Sequence, residues 1–171
     1  MVQTVDASKN RPSDPRNQEV VFPAGDPQNG NLLTPINNSR FIKWYLNILP
    51  AYRKGITPLR RGIETGIAHG FWLINPFAKL GPLRDTDIAD RAGLLAGIGL
   101  VVISAGAIFL YANSNPKPPF VAVGTPQPPA DLNTGAGWNK YATGFLAGGL
   151  GGAVLGYLVL SNVEVIQNLF K

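Results

Sequence analysis

The stretch AGLLAGIGLVVISAGAIFLYA, residues 92–112, runs for 21 positions without a charge. As an α-helix it would be about 31 Å long, which matches the hydrocarbon core of a bilayer. A second uncharged run follows at 142–160, ATGFLAGGLGGAVLGYLVL, 19 residues long. Its glycines would weaken a helix in water, but membrane helices tolerate them. Both runs read as membrane spans.

Composition agrees. The 171 residues are 45% hydrophobic and only 15% charged, against about 25% charged in an average soluble protein. A surface so poor in charge does not face water throughout. There is no cysteine, which excludes disulfides, zinc thiolates and thiol nucleophiles. The net charge of +5 comes without clustered basic residues and interleaved aromatics, so no nucleic-acid partner is expected. The start, MVQTVDASKN, lacks the apolar core of a secretion signal.

Upstream lies GIETGIAHGFWLI, residues 62–74, with Glu64 and the chain's one histidine, His69, inside an apolar run. Hydropathy alone leaves this segment open between a span and a half-buried helix lying on the membrane. Thr57-Pro58 makes a good cap and first turn. A helix from there to residue 78 is long enough to cross, with Arg60 and Arg61 snorkelling to the headgroups. The expected fold is all-α and membrane-embedded, with transmembrane helices at about 57–78, 92–112 and 142–160.

Residues 1–56 form an arm on the cytoplasmic side. Its first 25 or so residues are polar and without period, so they read as flexible. SRFIKWYLNIL, 39–49, places Phe41, Trp44, Tyr45, Ile48 and Leu49 at helical spacing. It suits a short interfacial helix or, alternatively, a segment packed on a partner protein. Asn113 to Gly137 holds Pro116, Pro118, Pro119, Pro126, Pro128 and Pro129 and predicts an extended, semi-rigid loop. Basic residues concentrate before the first span, at Lys9, Arg11, Arg16, Arg40, Lys43, Arg53 and Lys54. The positive-inside rule therefore sets the N-terminus in the cytoplasm. Three spans then leave the 79–91 loop and the tail, 161–171, on the far side.

Glycine recurs every fourth residue in each span, at 62/66/70, 93/97 and 144/148/152/156. Such a stripe lies on one helix face and lets another backbone approach closely. It also admits a flat ring. Helix packing is the simpler reading.

An ionisable group at membrane depth costs about 2.5–3.5 kcal/mol on insertion scales. For Glu64 the simple compensation is an ion pair with Arg60 or Arg61. For His69 it is a hydrogen bond to a neighbouring helix. Five residues of helix separate the two by about 140° of rotation, so they do not share one metal or form a dyad. Two one-ligand sites remain. A metal already held by a macrocycle needs only one axial ligand. The magnesium of chlorophyll accepts imidazole nitrogen or carboxylate oxygen. A haem with two histidine ligands is excluded by the histidine count. The competing function is a small transporter with Glu64 and His69 as a proton relay, but the other spans offer few polar groups for a shared aqueous path.

NILPAYRKGITPLRRGIETGIAHGFWLINPFAKLGPLRDTDIADRAGLLAG, residues 47–97, and GDPQNGNLLTPINNS, residues 25–39, resemble photosystem I reaction-centre subunit XI, the L subunit. LPAYRKG, AHG and KLGPLRD in that order are highly specific, and the lack of a transit peptide points to the cyanobacterial type. The resemblance implies a non-catalytic thylakoid subunit with its C-terminus in the lumen. It would bind antenna chlorophyll a and β-carotene beside the photosystem I core and small membrane subunits, among lipid. The Glu and His of the RGxExGxAHG motif, here Glu64 and His69, would ligate chlorophyll magnesium. A third chlorophyll would be held through water. The Pro and Asp of GPLRD, here Pro82 and Asp85, would help hold calcium where L subunits meet; alternatively Asp85 is a solvated loop charge. The tail is shorter than in trimeric relatives, and the proline-rich loop resembles that of members forming dimers and tetramers. The resemblance thus favours a tetramer over a trimer.

Overall fold

A computed structural model describes residues 21–23, 28, 30–117 and 127–168. The described chain divides into two units, one of residues up to Lys54 together with Gln127 and Pro128, the other of the remaining described residues from Gly55 onward. In the first, a strand β1 (Phe22–Pro23) pairs antiparallel with β2 (Leu32–Leu33). The arm was expected to lack a strand at this point. Two residues carry no readable alternation, and the pairing partner ten residues on supplies the order. Helix α1 (Arg40–Ile48) follows, as the 39–49 pattern predicts. Ser39 starts it by accepting a hydrogen bond from the Ile42 amide.

The second unit carries three long helices, α2 (Pro58–Leu80), α3 (Ala89–Asn113) and α4 (Gly135–Ser161). Thr57 caps α2 through the Arg60 amide at 3.3 Å, and Pro58 occupies its first turn. The missing amide of Pro58 costs nothing there, because first-turn amides have no partner within the helix. The helix continues through Pro76, an interruption that membrane helices accommodate. Both α3 and α4 exceed their uncharged runs, because helices recruit polar turns that hydropathy does not mark. Thr134 caps α4 at the Gly137 amide.

The loop before α4 also departs from expectation. It is not extended throughout, since Ala130–Asn133 form a 3₁₀ turn. Trp138 anchors that turn by donating to the Leu132 carbonyl at 2.7 Å. The central prolines, Pro118, Pro119 and Pro126, lie outside the described residues, as do residues 1–20 of the arm and Lys171. A short helix α5 (Val163–Asn168) ends the described chain.

Glycine sets the packing. A side-chain carbon built on Gly62, Gly66 or Gly70 of α2 would collide with backbone atoms of α4, at Tyr141, Phe145 and Gly149 in turn. The reverse holds for Gly144, Gly148 and Gly152 of α4, which meet the carbonyls of Leu59, Ile63 and Ile67. The numbers rise together, so α2 and α4 run parallel with interlocked backbones. Helix α3 is antiparallel to both. Its Gly93 and Gly97 meet Ala78 and Ile74 of α2, and its Val101 packs on Gly149 of α4. Lys79 and Asp90, 3.7 Å apart, brace the turn between α2 and α3. The glycine ladders thus serve helix packing, the simpler of the two readings.

Among the described residues two helices, α3 and α4, are long and apolar enough to cross a membrane. Their outward faces are apolar: Leu95, Ile103 and Leu110 are 70%, 69% and 76% exposed. A water-soluble domain would bury such residues. Helix α2 has the length but carries Arg60, Arg61, Glu64 and Lys79.

Candidate functional site

His69 and Glu64 sit on α2 beside the glycine seam, and each has its environment set by neighbours one turn away. The His69 ring is exposed, and its Nδ1 lies 2.8 Å from the Thr65 carbonyl oxygen. A carbonyl can only accept, so Nδ1 carries the proton. In the neutral ring the lone pair is then on Nε2. The expected partner for His69 was a neighbouring helix. The structure supplies the backbone of its own helix instead, and adds an edge contact from Phe145 of α4 at 5.4 Å between ring centroids. Phe145 is 5% exposed and is held by stacking on Tyr141, which meets Trp138, which in turn meets Tyr111 of α3. This ladder links all three helices to the imidazole. Its α4 members lie at helical spacing in the sequence, but nothing there shows that they reach His69.

Glu64 forms the expected ion pair: the Arg60 Nε donates to its Oε1 at 2.9 Å. The pair is i,i+4 with side-chain exposures of 67% and 29%. In water such pairs are worth about 0.3–0.5 kcal/mol, and the attraction grows as the dielectric constant falls. Arg61 corrects an expectation. It does not extend to the surface but is buried, at 2% exposure. Its carbonyl accepts from the Thr65 hydroxyl at 2.8 Å.

Glu64 and His69 do not converge, in line with their spacing. Among the described residues no three His, Cys, Asp or Glu side chains cluster. Glu64 and His69 are therefore each at most a single ligand. With Nδ1 engaged by the Thr65 carbonyl, Nε2 is the His69 nitrogen left to ligate.

Pro82 and Asp85 lie in the exposed turn between α2 and α3. The Asp85 side chain is 83% exposed, and its one described partner is Arg84 at 3.4 Å. The Pro82 carbonyl and the Asp85 carboxylate offer at most three oxygens, short of the six to eight that calcium takes, so a site here needs donors from elsewhere.

A further feature flanks the seam. Ile63, Ile67 and Leu155 wall an apolar groove of about 300 Å³ whose floor is Ala147, Gly148, Gly151 and Gly152. Gly151 has nothing near the position of a side-chain carbon, so it keeps the floor low without packing on any helix of this chain.

Comparison with known proteins agrees with this architecture. The family described as photosystem I reaction centre subunit XI matches residues 19–165. A protein of that name from Nostoc punctiforme is 60% identical over 172 residues, spanning 99% of both chains. One from Mastigocladus laminosus is 58% identical over 171 residues, again 99% of each. One from Gracilaria tenuistipitata is 45% identical over 144 residues, covering 84% of this chain and 91% of the relative.

Proposed function

Because the chain belongs to the photosystem I reaction centre subunit XI family, we propose that it is a three-span thylakoid subunit that holds antenna pigments and joins photosystem I monomers. It is a subunit of a complex rather than an enzyme, and it associates with the photosystem I core. The proton-relay alternative has no support: its two groups lie on separate faces, each engaged by its own helix.

The third span is α2. Its backbone interlocks with α4 from Leu59 against Gly144 to Phe71 against Gly156. Helices in step at backbone contact lie at one depth, so α2 accompanies α4 across the bilayer. Glu64 and His69 then lie level with the middle of α4. Orientation follows the basic arm, with the N-terminus on the cytoplasmic side and the tail in the lumen.

The observation that carries the pigment reading is the 2.8 Å approach of the His69 Nδ1 to the Thr65 carbonyl oxygen. Nδ1 is committed to the Thr65 carbonyl, which leaves Nε2 to ligate chlorophyll magnesium at membrane depth. Glu64 would hold a second chlorophyll, with Arg60 balancing the charge of a carboxylate that would otherwise be unfavourable there. When bound, chlorophyll supplies light absorption and excitation transfer; the chain's part is to fix ligand atoms on rigid, interlocked helices. The glycine-floored groove gives an elongated apolar pigment such as β-carotene a surface. Pro82, through its carbonyl, and Asp85 would contribute oxygens to a calcium ion completed by a neighbouring L subunit. The sequence 113–137 favours a tetramer, a dimer of dimers, over a trimer.

Replacing His69 with Leu tests the central element. The assembled complex should lose or weaken one chlorophyll, with a small change in red absorbance and near-normal charge separation. An assembled variant with unchanged pigment content and spectrum would remove His69 as a ligand.

A further inference from the structure

Helix α1 is unaccounted for by pigment binding or by the bundle. It has no buried residue. Phe41, Trp44, Tyr45 and Ile48 fall within about 100° of one another on the helix, and they are 65%, 58%, 45% and 42% exposed. The Phe41 and Trp44 rings touch, with centroids 5.9 Å apart, so part of this apolar face is already assembled. Lys43 lies about 150° from the centre of this face, and Arg40 and Asn47 flank it at about 90° and 110°.

The charge around α1 selects its partner. From Pro27 to Lys54 the sequence has four basic residues, Arg40, Lys43, Arg53 and Lys54, and no acidic one. A protein partner would have to present an acidic patch with an apolar trough. An anionic lipid surface offers both chemistries, and Trp and Tyr favour its headgroup level. Reach is adequate as well. Eight residues separate Ile48 from Thr57, a span of at most about 29 Å fully extended. This part rests on the reading of α2 as a span.

We propose that α1 is a surface anchor for anionic lipid: Phe41, Trp44, Tyr45 and Ile48 enter the boundary between headgroups and acyl chains, and Arg40 and Lys43 engage the headgroup charge. The chain has no cysteine, so single cysteines can be spin-labelled in the full chain without background. Tyr45→Cys, Ile48→Cys and Asn47→Cys are reconstituted in phosphatidylcholine vesicles with and without phosphatidylglycerol. Accessibility to oxygen and to a water-soluble nickel chelate is then measured by electron paramagnetic resonance. With phosphatidylglycerol, labels at 45 and 48 should favour oxygen and the label at 47 the chelate. Neutralising Arg40 and Lys43 to Gln should lower the docked-to-free ratio roughly thirtyfold, from about one kcal/mol per basic side chain. Equal exposure of 45, 47 and 48 to the chelate would overturn the proposal. So would shielding of 45 and 48 from both reagents, which would mean a protein cover, or indifference to the two Gln changes. An Ile67→Cys label on α2 separates the premises. If it is not exposed to oxygen, the membrane reading of α2 fails. If it is while α1 stays in water, the anchor alone fails.

Discussion

Gly66→Ala and Gly151→Ala are the same chemical change and should have opposite effects. At Gly66 the new carbon would lie 2.7 Å from the Gly149 nitrogen and 3.0 Å from the Phe145 carbonyl carbon. Both obstacles are backbone and cannot rotate away, so α2 and α4 must separate by roughly 1 Å to restore contact near 3.5–4 Å. Overpacking of this kind costs about 1–3 kcal/mol, and separation also weakens the close contacts of the remaining glycines. At Gly151 nothing lies within 4 Å, and alanine gains up to about 1 kcal/mol in helix propensity. The propensity gain is common to both variants, so they should differ by the overpacking term, about 1–3 kcal/mol, or roughly five- to 150-fold in the folding equilibrium. The assay is unfolding of the purified chain in mixed micelles by increasing sodium dodecyl sulfate, followed by tryptophan emission. Gly66→Ala should unfold earlier than the wild type and Gly151→Ala no earlier. Coincident curves for the two would refute the interlocked seam. Gly97→Ala should fall between them, because its nearest neighbour is the Ile74 Cγ1 at 3.3 Å, a side-chain atom that can yield.

Glu64→Leu separates its two roles: loss of one chlorophyll from an assembled complex marks a ligand, whereas poor assembly with normal pigment content marks only the ion pair to Arg60. Protease added to the cytoplasmic face of sealed membranes should trim the N-terminal arm and spare Arg84 and Arg91; cleavage at either would overturn the three-span orientation. Gently solubilised membranes on a native gel should give a band of four monomers, and a dominant three-monomer band would refute the tetramer.

The long apolar helices around 92–112 and 142–160 were legible because both runs lack charge over about 20 residues. Helix α2 was harder. Arg60, Arg61 and Glu64 dilute its hydropathy, and its 62/66/70 glycine spacing was the clearer sign. Spacing showed that each stripe packs but not against what, since α2 takes the parallel α4, beyond its sequence neighbour, as its main glycine partner. Arg61 was misread because burial is a tertiary outcome. The Arg60–Glu64 pair was readable from i,i+4 spacing. The His69 bond to the Thr65 carbonyl and the contact from Phe145 were not, because they depend on a side-chain rotamer and on how far α4 approaches.

The parallel seam has a consequence for biosynthesis. Gly62 emerges from the ribosome about 80 residues before Tyr141, its neighbour across the seam. At about 5–20 residues per second, that interval is roughly 4–16 s. Until it ends, helix α2 has only its antiparallel neighbour α3, touching at Ile74 and Ala78 near its far end. The bare glycine face, with Glu64 and His69 beside it, waits for its partner. A chain truncated after Asn113 never acquires that partner and should be cleared by membrane proteases rather than accumulate.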